Sequence, residues 1–466
     1  MRGEVQSVHF VGICGTAMAS TAAAMQERGF RVSGSDQNVY PPMSTFLAEA
    51  KVEVMSGYSE ANLRHQPDLV VIGNAISRGN PEVEAVLERK WRHTSLPALL
   101  REYFIHGRRA LVVAGTHGKT TTTSLLAWVF EHAGLEPSFL IGGIPENLGR
   151  GARFTASPWF IIEGDEYDSA FFDKRSKFVH YQPEVAILNN LEFDHADIFE
   201  NLAAVQTSFR RLITLVPRNG LLLANGDDPN LQGMLEVSFC PVQRFGLQAT
   251  NDARAECLDL AADGSRFTVS GFRFELPLTG ELNVRNALAV VACARHCGLG
   301  DAQIQEAFAT FRGIKRRMQL RGESGGVAVV DDFGHHPTAI RETLKAIRVK
   351  FAGRRVWAIF EPRTNTTRRK VFQRELAESF GDADCVVIAE VARLDQLPPD
   401  DRLDPHALME SLRGSGKAAA YLPTVEAIVR HVHAAALPGD VVCVFSNGGF
   451  GGIHEKLLAA FKDARA

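Results

Sequence analysis

Residues 115–122 read Gly-Thr-His-Gly-Lys-Thr-Thr-Thr and constrain the fold more than any other part of the chain. They follow the apolar residues 110–114, which predict a strand, and precede residues 124–133, which predict a helix. Small residues between a strand and a helix let backbone N–H groups surround a polyphosphate at the helix N-terminus. Lys119 is expected to neutralise the β- and γ-phosphates, and the hydroxyl of Thr120 is expected to bind Mg²⁺. The segment therefore predicts an α/β domain that binds ATP.

This loop is the shorter form of the phosphate-binding pattern, because Val113 stands where the longer form has glycine. A glycine-rich turn with a surface lysine is the structural alternative. Glycines, a lysine and threonines in this register favour nucleotide binding instead. The loop residues expected to contact ATP are Gly115, Thr116, His117, Gly118, Lys119, Thr120 and Thr121.

The length and composition of the chain indicate several ordinary globular domains. At 466 residues the chain exceeds what one core normally supports, so about two or three domains are expected. A net charge of −3 gives no global basic field for nucleic acid. No apolar signal core precedes the first predicted strand, and no run reaches the roughly 18–20 apolar residues of a membrane span. We therefore expect a cytoplasmic protein without membrane insertion, in which the seven cysteines are reduced.

Alternating apolar strands and helices predict a three-domain α/β protein. Residues 1–107 are expected to form a Rossmann-like domain and residues 108–314 a central P-loop ATPase domain with a parallel sheet. Residues 315–466 are expected to form a second Rossmann-like domain. Within the central domain, short alternating segments between Cys257 and Leu278 predict β-hairpins.

Polar residues follow two predicted strands of the central domain. Glu163 ends an apolar strand and stands where a nucleotide domain needs a second magnesium contact, although a solvated acidic turn is the alternative. His195 follows the next strand beside Asp194 and Asp197, so it is expected to ligate a metal or hold a carboxylate unless it is structural. We therefore predict that Glu163, His195 and Lys119 form the catalytic centre.

The first predicted βα turn is only a weak dinucleotide signal. In a G-x-G-x-x-G pattern that starts at Gly12, Cys14 and Ala17 replace the second and third glycines, while Gly15 is a further glycine of the turn. The turn can still offer N–H groups to a diphosphate, and Asp36 after the second strand is placed for a ribose or a base. NAD, a nucleotide sugar or plain tight packing would each fit this segment.

The third predicted domain contains a basic loop. Residues 361–370 carry four cations, among them Arg363 and Arg368, which suit carboxylates or phosphates because arginine binds both in bidentate geometry. A solvated basic loop is the alternative. The glycine-rich residues 446–452 around Asn447 indicate either a ligand close to the backbone or a mobile turn.

Five motifs in this order resemble the Mur ligase family over essentially the whole chain. They are Gly-x-x-Gly-Thr-Ala-Met at 12–18, Gly-Thr-His-Gly-Lys-Thr-Thr at 115–121, Glu-Gly-Asp-Glu-Tyr-Asp at 163–168, Asn-Leu-Glu-Phe-Asp-His at 190–195 and Asp-Asp-Phe-Gly-His-His-Pro at 331–337. Stretches at 39–45, 167–177, 361–363 and 446–454 look closer still to the branch of the family that acts in peptidoglycan recycling.

The resemblance implies that the first domain binds UDP-N-acetylmuramate, the second binds ATP and the third binds the amino substrate. The residues that it assigns to the UDP-sugar are Gly12, Gly15, Thr16, Ala17, Ser35, Asp36 and Asn74. The further ATP contacts that it implies are Asn286, Arg317 and Asp331. The implied metal ligands are Thr120 and Glu163 for one Mg²⁺ and His195 for a second.

Two features depart from the family pattern. Leu282 occupies a position where relatives often carry histidine. The predicted helix 202–209 has no lysine, whereas several members carry a carbamylated lysine there. If the resemblance holds, the second metal must rely on other ligands.

The implied reaction is ATP-dependent formation of an amide bond through an acyl phosphate, because a carboxylate does not react with an amine in water at useful rates. The implied acceptor is the tripeptide L-alanyl-γ-D-glutamyl-meso-diaminopimelate, and His195 or a nearby carboxylate is expected to take the proton of its amine. Arg363, Arg368 and Asn447 are expected to bind this peptide. The alternatives are free L-alanine as the acceptor, a nicotinamide oxidoreductase and a non-catalytic nucleotide-binding switch. The sequence does not fix the oligomeric state.

Overall fold

The computed structural model describes residues 4–463 and contains three α/β units in succession, which confirms the predicted fold class. The strands of the first unit are Ser7–Val11 (β1), Arg31–Asp36 (β2), Glu53–Ser56 (β3), Leu69–Ile72 (β4) and His93–Ser95 (β5). They form one parallel sheet in the order β3-β2-β1-β4-β5. The helices of this unit are Thr16–Glu27 (α1), Met43–Glu49 (α2), Pro81–Glu88 (α3) and Leu96–Leu100 (α4).

The central unit is built on a larger sheet. Its first ten strands are Arg109–Ala114 (β6), Ser138–Leu140 (β7), Ala152–Arg153 (β8), Trp159–Gly164 (β9), Asp168–Ala170 (β10), Asp173–Ser176 (β11), Val185–Leu188 (β12), Leu221–Asn225 (β13), Val242–Gly246 (β14) and Ala253–Arg254 (β15). Eight of them form a sheet in the order β15-β14-β13-β12-β6-β9-β7-β8, in which only β8 is antiparallel to its neighbour, while β10 and β11 form a separate hairpin. The helices are Lys119–His132 (α5), Leu202–Ile213 (α6), Pro229–Gln232 (α7), Glu281–His296 (α8) and Asp301–Ala309 (α9).

The β-hairpins predicted between residues 257 and 278 are confirmed. The three strands there are Glu256–Ala261 (β16), Gly264–Val269 (β17) and Phe272–Leu276 (β18). They form an antiparallel sheet of their own, in which Gly264 begins β17 and Gly271 lies in the turn between β17 and β18.

The C-terminal unit repeats the doubly wound pattern. Its strands are Gln319–Ser324 (β19), Val327–Asp332 (β20), Val356–Phe360 (β21), Cys385–Ala389 (β22), Ala418–Leu422 (β23) and Val441–Phe445 (β24). Their order is β19-β20-β24-β21-β22-β23, and only β19 runs antiparallel to its neighbour. The helices are Pro337–Lys350 (α10), Gln373–Ser379 (α11), Pro405–Gly414 (α12), Val425–Ala435 (α13) and Ile453–Asp463 (α14).

The composition of β6 explains how the central sheet is buried. Alternate residues of a strand point to opposite faces of its sheet. Leu111 and Val113 pack into one apolar core, whereas Ala110, Val112 and Ala114 pack into another on the opposite face. From Ala110 onward the strand is apolar at every position and is covered on both sides, as expected for a parallel sheet flanked by helices.

The order of the strands determines where the polar loops meet. Strand β6 lies between β12 and β9, and all three run parallel. Their carboxyl ends therefore share one edge of the sheet, where open α/β sheets bind ligands.

The sequence patterns predict fewer elements than the structure contains. They do not predict β13, β14, β23 or α9. Strand β14 reads Val-Gln-Arg-Phe-Gly, which lacks a continuous apolar run, because it lies near the edge of the sheet where burial is incomplete. Among residues 4–463, no helix combines the length and apolar character needed to cross a membrane. The predicted domain boundaries stay predictions.

Candidate active site

The loop predicted to bind phosphate joins β6 to α5 and packs closely against neighbouring backbone and side chains. Gly118 has a φ of 78°, and a Cβ atom there would lie 2.4 Å from Oδ1 of Asn286. Gly115 has a φ of 136°, and a Cβ atom there would lie 3.0 Å from the backbone of Asn190. Larger residues would displace these neighbours at either position. The loop therefore exposes backbone N–H groups at the start of α5, which suits an anion.

A chain of three charged side chains lies beside this loop. Nζ of Lys119 lies 2.9 Å from Oε1 of Glu166, and Nε2 of His195 lies 3.1 Å from the same oxygen. Burial lowers the pKa of Lys119, but the carboxylates of Glu166 and Glu163 outweigh burial and raise this pKa above its ordinary value. Burial also lowers the pKa of His195, and the hydrogen bond with Glu166 reverses the shift, so this pKa is raised as well. Lys119 therefore keeps its positive charge in a largely buried position.

Glu163 forms a second polar group with Thr120. The hydroxyl of Thr120 donates to Oε1 of Glu163 at 3.1 Å, and the backbone N–H of Gly142 donates to Oε2 at 2.8 Å. Arg317 reaches the same group, since its Nη2 lies 3.3 Å from Oγ1 of Thr120. Burial raises the pKa of Glu163 by more than Lys119 and the other donors lower it. A cation beside these oxygens would favour the ionised carboxylate.

Members of both groups line one cavity of about 570 Å³ between the central and C-terminal units, namely Lys119, His195, Thr120, Glu163 and Arg317. The predicted site residues on its wall are Thr116, His117, Gly118, Lys119, Thr120, Thr121, Glu163, His195, Arg317, Arg363 and Asn447. Asn286 lies behind the loop against Gly118. The structure thus brings together residues that are up to about 330 positions apart in the chain. Such distant residues meet because the cleft lies between two units.

Asp331 and Asp332 occupy different environments. The carboxylate of Asp331 lies 3.3 Å from Nε2 of His454 and 3.4 Å from Nε of Arg316, and it is not on the cavity wall. The carboxylate of Asp332 accepts two backbone N–H groups and lines the cavity. Consecutive residues of a strand point in opposite directions. The structure therefore brings Asp332, and not the predicted Asp331, to the cavity.

Glu192 connects the phosphate loop to the C-terminal unit. Its Oε2 accepts the hydroxyl of Thr338 at 2.7 Å and lies 3.3 Å from Nε2 of His117. Burial raises the pKa of Glu192, but the hydrogen bond and charge of His117, with the other donors, lower it to about 2. The carboxylate therefore stays ionised at neutral pH and joins the phosphate loop to the start of α10.

His117, Glu192 and His336 lie close enough together to share a metal ion. However, Nδ1 of His336 accepts the N–H of Thr338 at 3.2 Å, and Nε2 of His336 lies 3.2 Å from the carbonyl oxygen of Phe193. Burial lowers the pKa of His336 to about 3, so the ring is neutral. Both of its nitrogens already have protein partners, and the cluster joins the two units through hydrogen bonds.

The residues assigned to the UDP-sugar lie at the carboxyl edge of the first sheet, outside the 570 Å³ cavity. The N–H of Gly12 donates to the carbonyl oxygen of Ser35 at 2.8 Å, and Oδ2 of Asp36 accepts the N–H of Cys14 at 2.9 Å. The hydroxyl of Ser35 donates to the buried carboxylate of Glu82 at 2.6 Å, so it has a partner within the protein. The remaining members of this set are the exposed Gly15, Thr16 and Asn74 and the half-buried Ala17.

Arg363 and Arg368 differ in what they contact. Arg363 is exposed and lines the cavity, and its guanidinium lies so close to Gly448 that a Cβ atom there would be 1.9 Å from Nη1. Arg368 is buried and donates to the carbonyl oxygen of Arg393 at 3.1 Å and to Oδ1 of Asn365 at 2.7 Å. Arg368 therefore holds its own loop together, and of these two arginines only Arg363 reaches the cavity.

Several residues without an assigned role also line the cavity, among them Asn283, Asp332, His335 and Arg393. Asp332 and His335 belong to the motif at 331–337, so membership of that motif was the signal available for them. Arg393 lies outside every motif, and its left-handed backbone, with a φ of 51°, is visible only in the structure.

Three family descriptions match successive parts of the chain. "Mur ligase family, catalytic domain" matches residues 7–108, "Mur ligase middle domain" matches residues 113–294, and "Mur ligase, glutamate ligase domain" matches residues 316–448. The UDP-N-acetylmuramate--L-alanyl-γ-D-glutamyl-meso-2,6-diaminoheptandioate ligase of Escherichia coli (strain K12) is 44% identical over 97% of both chains. The UDP-N-acetylmuramate--L-alanine ligase of Granulibacter bethesdensis is 34% identical over 94% of this chain and 92% of its own.

A solved structure shows the same architecture. The murein peptide ligase of Psychrobacter arcticus 273-4 is 40% identical, with a TM-score of 0.73 over 99% of this chain and 100% of its own. The relatives match nearly the full length, and the three family descriptions follow one another in the same order as the three α/β units. On these grounds, the chain belongs to the Mur ligase family.

Proposed function

We propose that this Mur ligase joins the amino end of L-alanyl-γ-D-glutamyl-meso-diaminopimelate to UDP-N-acetylmuramate and thereby acts in peptidoglycan recycling. Membership of the family makes the chain an ATP-dependent ligase that forms amide bonds. The observation that carries the choice of acceptor is the 44% identity, over nearly the full length, with a relative named for this tripeptide. The L-alanine ligase, at 34% identity, is the second candidate.

The proposal assigns the triphosphate of ATP to the loop at 115–121. Support comes from Gly118, which lines the cavity at the start of α5, and from Lys119, which keeps its charge beside the loop. Arg317 adds a second cation next to Thr120. Asp332 takes the place of Asp331 in this assignment, because its carboxylate lines the cavity.

The residues around Thr120 suit Mg²⁺, which prefers oxygen ligands. We assign Thr120 and Glu163 to one Mg²⁺ and His195 to a second, with Glu166 and Asp194 as the carboxylates closest to His195. Burial raises the pKa of Glu163 because it destabilises the ionised carboxylate, and a neighbouring positive charge would offset this destabilisation. When bound, magnesium would neutralise phosphate charge and so reduce its repulsion of an approaching carboxylate.

The reaction proceeds in two displacement steps. A carboxylate oxygen of the muramyl group attacks the γ-phosphorus of ATP, the bond to the β–γ bridging oxygen breaks, and ADP leaves. The amine of the tripeptide then attacks the acyl carbon, phosphate leaves, and the proton of the amine passes to a base. Lys119 stabilises the charge that develops on the phosphoryl oxygens, and Glu166 holds both Lys119 and His195 in position.

Each of the three units would bind one of the three reactants. We assign residues 1–107 to UDP-N-acetylmuramate, residues 108–314 to ATP and residues 315–466 to the peptide. The turn at Gly12 to Ala17, with Asp36 and Asn74, would bind the UDP group, while Arg363 and Asn447 would face the peptide. Because the central cavity lies between two units, their closure would exclude water from the acyl phosphate.

The test is a comparison of acceptors. The protein is incubated with ATP, Mg²⁺ and UDP-N-acetylmuramate, together with either the tripeptide or L-alanine, while release of ADP and the mass of the product are followed. We expect kcat/KM for the tripeptide to exceed that for L-alanine by about 100-fold or more, since specific polar contacts discriminate strongly. A preference for L-alanine would favour the second candidate. An absence of any lengthened nucleotide would refute both, and Lys119→Met should abolish turnover with either acceptor.

A further inference from the structure

A second cleft opens on the C-terminal unit. It has a volume of about 600 Å³ and lies at the carboxyl ends of β21 and β22, beside the start of α13. Charged residues of both signs line it, namely Arg363, Arg393, Glu361, Glu390 and Asp395. The rest of its wall includes apolar groups such as Val391, Val425 and Ile428.

Four of these charges have neither a salt bridge nor a side-chain hydrogen bond in the part of the chain that the structure describes. They are Arg363, Arg393, Glu390 and Asp395. Nearby charges behave differently, since Arg369 pairs with Asp401, and Glu361 accepts the hydroxyl of Ser446 at 2.5 Å. Opposite charges that share one cleft without pairing remain free to bind a ligand that carries both signs.

The cleft adjoins the catalytic cavity, since Arg363 and Arg393 line both spaces. Helix α13 also begins at the cleft, and the side chain of its N-cap, Thr424, accepts only the N–H of Ala427. The remaining N–H groups of the first turn favour a carboxylate there.

We propose that this second cleft binds the far end of the peptide acceptor and recognises an α-amino acid group that carries both a carboxylate and an ammonium. The carboxylate is held by Arg363, Arg393 and the start of α13, while the ammonium faces Glu390 and Asp395. This inference rests on the proposed function. The terminal centre of meso-diaminopimelate carries both groups, whereas a lysine side chain ends in an ammonium alone and a dipeptide acceptor has neither.

The experiment measures kcat/KM for three acceptors that share the same reacting amine. They are the tripeptide with meso-diaminopimelate, the tripeptide with L-lysine, and the dipeptide L-alanyl-γ-D-glutamate. Arg393→Gln should lower kcat/KM for the diaminopimelate tripeptide by about 10- to 100-fold, as expected for the loss of a charge-assisted hydrogen bond. The same variant should change the values for the lysine tripeptide and the dipeptide by less than about twofold.

Glu390→Gln tests the ammonium side of the cleft. It should lower kcat/KM for both tripeptides by about three- to tenfold, because Glu390 is exposed and an exposed ion pair contributes little, and leave the dipeptide unchanged. Arg374→Gln, on the exposed surface of α11, is the matched control and should change none of the three values.

Equal losses for all three acceptors would overturn the inference, since the residues would then act on the reacting end or on the fold. No loss for any acceptor would overturn it as well. If the wild-type protein makes product from the peptides and the variants give either of these results, the proposed function stands. A wild-type protein that makes no product from any acceptor refutes the proposed function itself.

Discussion

Replacing Thr338 with Val should weaken the contact between the central and C-terminal units. The hydroxyl of Thr338 donates to the carboxylate of Glu192 at 2.7 Å, and that carboxylate is ionised because its pKa is about 2. Valine has nearly the same shape as threonine and leaves Glu192 without this donor. Hydrogen bonds to charged groups contribute roughly 1.5–3 kcal/mol. Since the side chain of Glu192 is 32% exposed, we reduce this to about 1–2 kcal/mol, or about 5- to 30-fold.

The effect should appear in ligation and not in nucleotide binding. We expect Thr338→Val to lower kcat/KM for ligation by about 5- to 30-fold while the Kd for ATP stays within about twofold, because Thr338 lies outside the phosphate loop. Small-angle X-ray scattering with all substrates bound should show a larger radius of gyration if the units separate. Thr207→Val is the matched control, because that hydroxyl donates only to Ala203 within its own helix.

A double-mutant cycle identifies the contact itself. If the two side chains act through their hydrogen bond, Thr338→Val should cost less than about twofold in a Glu192→Gln background. Unchanged ligation and scattering in Thr338→Val would refute the reasoning. Full additivity of the two substitutions would show that Thr338 acts through another partner.

Three further predictions concern binding and stability. Gly118→Ala should weaken ATP binding at least about tenfold by calorimetry, since its Cβ would lie 2.4 Å from Oδ1 of Asn286, and an unchanged Kd would contradict this. Arg363→Ala should raise KM for the tripeptide or lower kcat while the Kd for ATP holds, and unchanged tripeptide kinetics would remove Arg363 from the peptide site. Arg355 and other donors lower the pKa of Asp440 although burial raises it. The ionised carboxylate therefore stabilises the fold above about pH 4, and this stabilisation decreases as the pH falls through the lowered pKa. In urea unfolding, Asp440→Asn should therefore cost about 1–3 kcal/mol at pH 7 and progressively less as the pH is lowered below about 4, whereas a cost that does not change with pH would exclude this cause.

The sequence was sufficient to predict the local features of the site. The loop at 115–121 combines a strand, small residues and a helix start within a few positions, so its conformation follows from local rules. The positions of Glu163 near the end of β9 and of His195 in the segment after β12 also follow from alternating apolar segments. Because β6 separates these two strands in the sheet, the three loops meet at one edge.

Contacts between the units could not be predicted from the sequence in the same way. The burial of Arg368 and the exposure of Arg363 depend on how one loop folds against Arg393, about 25 residues further along the chain. The alternation of Asp331 and Asp332 is predictable once β20 is known, but which face meets the cavity depends on the packing of the C-terminal unit. Charge patterns identify such residues as candidates for ligand binding. Only the tertiary structure distinguishes the residues that face the cavity from those that stabilise a loop.

The position of His195 links the packing of the units to the chemistry. His195 lies in a segment whose neighbours on both sides contact the C-terminal unit, and these neighbours are Glu192, Phe193, Ala196 and Asp197. Its own backbone is in the left-handed region, with a φ of 57°, which costs free energy for a residue other than glycine. Such a conformation persists when surrounding contacts fix it, and here those contacts come largely from another unit. Separation of the units would therefore release the backbone that holds His195 against Glu166, and with it the proposed catalytic centre.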